Sequence, residues 1–148
     1  MLTGIDLQLV EELRDNARIT YADLAEKLGI STATVSRRIE RLLNKNVIKF
    51  IAIADMKKIG HTVSAMIVLD VELDKLDDVC TKIIANPYVY LVLTTFGRYD
   101  VFIMVHFNDE EGLTNFISLE LAHIEGVRDI ETFFVNNTYK AGHAVFER

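Results

Sequence analysis

Residues 21–35 read Tyr21-Ala22-Asp23-Leu24-Ala25-Glu26-Lys27-Leu28-Gly29-Ile30-Ser31-Thr32-Ala33-Thr34-Val35. Leu24, Ala25 and Leu28 recur at helical spacing, and Thr20 stands three residues before Asp23, where an N-cap hydroxyl meets the third backbone N–H of a helix. Gly29 follows the last apolar residue, at the place where a helix end needs a left-handed backbone. Ser31 and Thr34 repeat the capping pattern, so a second helix restarts within a few residues. Ala25 is small enough for the two helices to cross closely, and Val35 returns to the same core. The stretch is a helix-turn-helix by spacing.

Working outward, Ile5, Leu9, Val10 and Leu13 form the apolar stripe of a preceding helix, and Val35, Ile39 and Leu42 that of the helix opened by Ser31. With Val35 at zero and about 100° per residue, Ile39 falls near 40° and Leu42 near −20°, whereas Ala33, Arg37, Arg41 and Thr34 fall at about 160°, 200°, 240° and 260°. A basic face therefore opposes the core face, and Glu40, the only acid on the helix, lies at its edge. Such a helix suits a DNA major groove, where Arg37 and Arg41 can bond guanine edges, Ser31, Thr32, Thr34 and Ser36 can bond bases or phosphates, and Ala33 can touch a thymine methyl. Arg38 lies at the flank, placed for phosphate.

Charge points the same way. The chain of 148 residues carries a net charge of −6, yet from Lys27 to Lys58 eight basic side chains face two acidic ones. This segment is +6 and the remainder −12. A basic segment in an acidic protein is a local footprint for a polyanion.

After Leu43 the pattern changes. Asn44-Lys45-Asn46 reads as a turn and Val47 to Ile53 as a β-rich run, a candidate wing beside the helix-turn-helix. Residues 53–62 read as a linker. Beyond it we expect a strand at 63–72, a helix at 74–85, strands at 88–96 and 99–107, a helix at 109–122 and a strand at 127–136. This is the β-α-β-β-α-β order of a ferredoxin-like sandwich. The fold class is therefore α+β, with a winged helix-turn-helix over residues 1–52 and a ferredoxin-like domain over 63–148. The runs Tyr90-Leu91-Val92-Leu93 and Val101-Phe102-Ile103-Met104-Val105 are apolar on both faces. Two helices cover only one face, so a second copy of the chain is expected on the other, making a homodimer.

Other function classes find little support. No apolar run approaches the roughly 20 residues of a membrane span, and Asp6, Glu11 and Glu12 interrupt the start where a signal peptide would be apolar. A cytoplasmic protein with no membrane partner is expected. Cys80 is the only cysteine and lies in an apolar helical stripe, which reads as a buried thiol. His61, His106, His123 and His143 lack metal-ligand spacing, and no Gly-rich phosphate loop or nucleophile motif is present, so neither cofactor nor metal is expected.

The chain resembles the leucine-responsive and asparagine regulators, the Lrp/AsnC family, over essentially its whole length. The resemblance rests on Ile5-Asp6, on Arg18 to Ala25, on Ser31 to Leu42, on Val47-Ile48 and on Gly97-Arg98-Tyr99-Asp100. It implies a dimeric, tetrameric or octameric transcription regulator that reads a pseudo-palindromic site in double-stranded DNA and binds a small-molecule effector, an amino acid or a relative of one, at clefts between dimers. From the residues alone, Gly97 to Asp100 is a hairpin turn. The resemblance adds that Gly97, Arg98, Tyr99 and Asp100 face the ligand, with Asp100 toward an α-ammonium and backbone N–H groups near Gly97 toward an α-carboxylate. It also brings in Thr132, and Phe134 shares the face of Thr132 at a spacing of two. Three positions depart from the pattern: Asn46 for glycine, Thr3 for aspartate and Glu125 for proline. Asn46 tolerates a left-handed turn.

Two other readings stay open here. One is an enzyme resembling the tetrapyrrole decarboxylases that share this two-domain architecture, which would need a large apolar pocket with basic and histidine groups. The other is an amino-acid-binding module without DNA affinity.

Overall fold

The computed structural model describes residues 4–139; Thr3, His143 and the end of the 63–148 segment lie outside them. The chain forms two compact units that meet in sequence between Ile53 and Ala54. In the first, α1 (Ile5–Asp15), α2 (Tyr21–Leu28) and α3 (Thr32–Asn44) follow the three apolar stripes. Leu9, Leu13, Leu24, Ala25, Val35 and Ile39 bury together, and Ile5, Ile19, Leu28, Ile30, Leu43 and Ile48 close around them. Each fully buried side chain of this kind contributes about 1.5–3 kcal/mol. The caps form as the spacing requires. The Asp23 N–H donates to Thr20 Oγ1 at 3.1 Å and the Thr34 N–H to Ser31 Oγ at 3.2 Å. Gly29 takes φ 64°, ψ 34° and ends α2.

The candidate wing run forms no strand among the described residues. Asn46 adopts φ 53°, as a turn needs, but no residue from Val47 to Ile53 joins a sheet. A strand exists through its ladder partner. Among the described residues of this unit the regular elements are helices, and residues 56–60 coil into successive turns, so no described segment offers the run a ladder partner. Val47, Phe50, Ile51 and Ile53 stay exposed.

The second unit is a four-stranded antiparallel sheet with helices on one face. Its strands are β1 (Val63–Val71), β2 (Val89–Thr94), β3 (Val101–Phe107) and β4 (Val127–Phe134), in the order β2-β3-β1-β4. α4 (Leu76–Ile84) follows a short 3-10 turn, and α5 (Glu110–Asn115) is capped by Asp109, whose Oδ1 accepts from the Gly112 N–H at 2.7 Å. The helix expected over 109–122 is α5 continued by a π-helical turn (Phe116–Glu120) and a 3-10 turn (Leu121–His123). Thr114 and Ser118 each donate to the carbonyl four residues back, a bond that bends helices.

Ala65, Ile67, Leu69 and Val71 of β1 and Val101, Ile103, Val105 and Phe107 of β3 bury against Val79, Ile83, Leu113, Phe116 and Leu121. The opposite face carries Met66 paired with Met104, and Leu91 and Leu93 paired with Met104 and Phe102. Phe133 extends it, paired with Met66. On this face Phe102 and Met104 are half-buried, and Leu91, Leu93 and Phe133 remain 42–49% exposed. The strands are apolar on both sides, and one chain covers one side.

Candidate DNA-reading face and effector loop

α3 carries the eight residues expected to meet DNA. Ser31 is its N-cap, Thr32 and Ala33 are exposed on its first turn, and Thr34 is half-buried against Ser31, hydroxyl to hydroxyl at 2.8 Å. Ser36 donates to Glu40 one turn on, at 3.2 Å. Arg37 is exposed and makes no ion pair among the described residues. Val35, Ile39 and Leu42 on the other side are buried, so the wheel geometry holds.

The other two arginines are differently placed. Arg38 Nη1 donates to Asp6 Oδ1 at 2.8 Å and Arg41 Nη2 donates to Asp6 Oδ2, so a single carboxylate of α1 holds both. Arg38 is therefore not a free phosphate contact, and Arg41 does not project independently beside Arg37. Sequence reasoning missed Asp6 as part of this face. One signal for it exists: Asp6 stands three residues before the buried Leu9, on the flank of α1 that meets the bundle.

At the effector loop, Thr95 closes the turn between β2 and β3. Its N–H donates to the Asp100 carbonyl at 2.8 Å and its hydroxyl to the Tyr99 carbonyl at 2.6 Å. The Asp100 N–H donates to the Leu69 carbonyl, and its carboxylate Oδ2 accepts from the Val71 N–H at 2.8 Å, closing the end of β1. Oδ1 makes no hydrogen bond among the described residues. Gly97 and Arg98 are exposed, and the Arg98 guanidinium lies 5.1 Å from the Tyr99 ring centroid. The Tyr99 hydroxyl donates to Glu131, and that bond pushes the phenol pKa up.

Thr132 and Phe134 pair with Ile67 and Ala65, on the helix side of the sheet, whereas Glu131 pairs with Val68 on the open side. The six expected effector residues therefore fall on two faces and are not brought together within one chain. Glu131, the β4 residue that the loop does reach, was missed; alternation along β4 separates it from Thr132 once the register is known.

Two family models match the chain: a winged helix-turn-helix DNA-binding domain over residues 2–49 and the Lrp/AsnC ligand-binding domain over residues 62–145. The chain belongs to the Lrp/AsnC family. An HTH-type transcriptional regulator of Pyrococcus abyssi is 30% identical over 144 residues, covering 97% of this chain and 91% of the relative. The crystal structure of PH0061, an HTH-type transcriptional regulator of Pyrococcus horikoshii, is 29% identical and superposes with a TM-score of 0.86 over 96% of this chain and 97% of that one. The Neisseria meningitidis regulator NMB0573, solved as its complex with L-Met, is 21% identical with a TM-score of 0.85, covering 98% and 96%. This Lrp/AsnC protein is thus a DNA-binding transcription regulator with a ligand-binding domain.

The rival enzyme reading gains nothing from the geometry. A cleft of about 200 Å³ in the second unit, between Tyr88, Phe107 and Phe116, has no basic or histidine side chain, and one of about 290 Å³ in the first unit, between α1 and residues 47–51, has Arg14 and Lys49 but no histidine. Among the described residues no group of three or more His, Cys, Asp or Glu side chains is placed to hold a metal, and no helix is long and apolar enough to cross a membrane. Burial pushes the Cys80 thiol pKa up, away from the thiolate a nucleophile needs.

Proposed function

We propose that this regulator is a non-enzymatic, cytoplasmic protein that binds a pseudo-palindromic DNA site as a homodimer, one α3 per half-site, with Arg37 reading base edges in the major groove. One observation carries the reading: Arg37 is exposed and makes no ion pair among the described residues, on the side of α3 opposite its buried stripe. Residues 31–34 at the helix start support it, since the N-terminal turn of a recognition helix enters the groove. The homodimer follows from the uncovered apolar face of the sheet, and larger assemblies from such dimers are compatible with it.

The test is fluorescence anisotropy on a footprinted operator and on random duplex at two salt concentrations. Binding should weaken steeply with salt on both. Arg37→Ala should lose about 1–3 kcal/mol on the operator. An unchanged operator affinity for Arg37→Ala at intact helicity refutes the assignment.

The effector is proposed to be an amino acid or a close relative, acting at the Gly97–Asp100 loop. Asp100 Oδ1 is available to an α-ammonium, and the exposed backbone at Gly97 to an α-carboxylate. Thr132 and Phe134 share such a site only if a different copy of the chain supplies them. A thermal-shift screen of the twenty amino acids tests this; no response to any of them leaves the loop a structural turn.

A further inference from the structure

The two arginines that Asp6 holds are on the recognition helix, and the acid that holds them comes from a different helix. We propose that Asp6 is a specificity-determining residue: it restrains Arg38 and Arg41 so that they cannot act as free phosphate contacts on unrelated DNA. The proposal rests on α3 being the DNA-reading helix.

The Asp6 side chain is only 14% exposed, and each of its oxygens is taken by one guanidinium. Arg38 is the more enclosed of the two, its side chain only 30% exposed beside its bond to Asp6. Arg41 is half exposed, at 49%, and so remains within reach of solvent while one of its amino groups is committed. Two guanidinium charges and one carboxylate leave a single net positive charge at this corner of α3. A phosphate that approaches Arg41 meets a cation whose charge is partly offset and one of whose amino groups is already bonded, and must displace Asp6 or bind beside it. Arg37, one turn before Arg41, carries no such partner. The helix therefore presents one unrestrained arginine, whose geometry suits base edges, and two whose orientation is set by the protein. Sequence-independent affinity comes from mobile cations neutralising phosphates, and Asp6 removes about one cation from that pool.

Asp6→Asn keeps the shape and removes the charge. One additional released counterion steepens the log–log salt slope on random duplex by about 0.9, which is roughly an eightfold tighter complex at about 0.1 M salt. Operator affinity should rise less, so the ratio of operator to random binding falls. In an Arg41→Gln background the same substitution should have much less effect. Glu11→Gln, which removes an exposed acid of the same helix that touches no arginine of α3, should leave the slope unchanged.

A second comparison does not depend on Asp6→Asn folding. Arg37→Gln should flatten the random-duplex slope by about 0.9, whereas Arg41→Gln, which removes a charge that Asp6 partly offsets, should flatten it by clearly less. The proposal is overturned if Asp6→Asn, with native circular dichroism, binds random duplex no tighter than wild type. It is equally overturned if Glu11→Gln gives the same gain, or if Arg37→Gln and Arg41→Gln flatten the slope equally. If the wild-type protein shows no salt-dependent DNA binding at all, the DNA-reading assignment of α3 fails first, and this inference with it.

Discussion

Met104→Lys places a charge at the centre of the open sheet face and asks whether a second chain covers it. Met104 lies between Phe102 and His106 on β3 and pairs with Met66 on one side and Leu91 on the other. Leu91, Leu93 and Phe133 leave 42%, 49% and 42% of their surface in solvent. Fully burying a side chain of this size contributes about 1.5–3 kcal/mol, so covering the remaining half yields about 1 kcal/mol each and about 6 kcal/mol for the six in a symmetric pair. In the single chain Met104 is half-buried, so a lysine there can extend its ammonium to water and the fold should survive. In a face-to-face pair two ammonium groups lose their hydration, at several kcal/mol each, which cancels the whole apolar gain. A loss of about 6 kcal/mol weakens the dissociation constant by more than about 10⁴-fold. Sedimentation velocity at about 10 μM should show wild-type dimers or larger species and a monomeric variant, both with the same far-ultraviolet circular dichroism. A natively folded variant that stays dimeric at that concentration refutes the argument that this face is the interface.

Gly126 adopts φ 98°, and a Cβ built there would lie 2.6 Å from the Lys75 Cβ. Gly126→Ala should therefore cost more than the roughly 1–3 kcal/mol of backbone strain alone, and a melting temperature within a degree of wild type would contradict it. Asp100→Asn weakens the bond that closes β1 at Val71; without any amino acid present it should destabilise the protein by about 1–2 kcal/mol, read as a lower midpoint in urea, whereas a role confined to ligand binding leaves that midpoint in place. Burial, then the nearby His61, lower the His106 pKa, and Ser64 Oγ lies 2.8 Å from its Nδ1. Since the folded state binds that proton less readily than the unfolded chain, the contribution is present above the ordinary histidine range and is lost as pH falls through it toward the depressed folded value. His106→Gln, which keeps a polar partner for Ser64, should flatten the decline in melting temperature on the acid side of pH 6.5, and an identical decline in the two proteins excludes His106 as its source.

What could be read in advance was local. The caps at Thr20 and Ser31, the left-handed Gly29 and the stripes of α1, α2 and α3 are each set by residues within a turn or two, and the element order of the second unit was enough to imply its antiparallel sheet. The features that escaped depend on neighbours distant in sequence. Val47 to Ile53 has the composition of a strand but pairs with no strand among the described residues. The wheel of α3 fixes the angle of Arg41 and cannot reveal an acid 35 residues earlier on α1. Thr132 and Tyr99 were joined by family likeness, whereas the register of β4 against β1 places Thr132 on the side away from the Tyr99–Glu131 bond.

The same distinction changes what the charge count means. Of the eight basic groups between Lys27 and Lys58, the structure pairs Lys27 with Glu12, Arg38 and Arg41 with Asp6, and Lys58 with Asp55. Arg37, Lys45, Lys49 and Lys57 make no ion pair among the described residues. If all eight neutralised phosphates, the log–log salt slope would reach about −7 per copy; three carboxylates offset three of the eight charges and limit it to about −4.5. A basic segment thus sets where a polyanion binds, and its internal pairing sets how strongly binding responds to salt. A measured slope on random duplex steeper than about −4.5 per copy would mean that DNA breaks these pairs on contact, and that the ties holding Arg38 and Arg41 are too weak to restrain them.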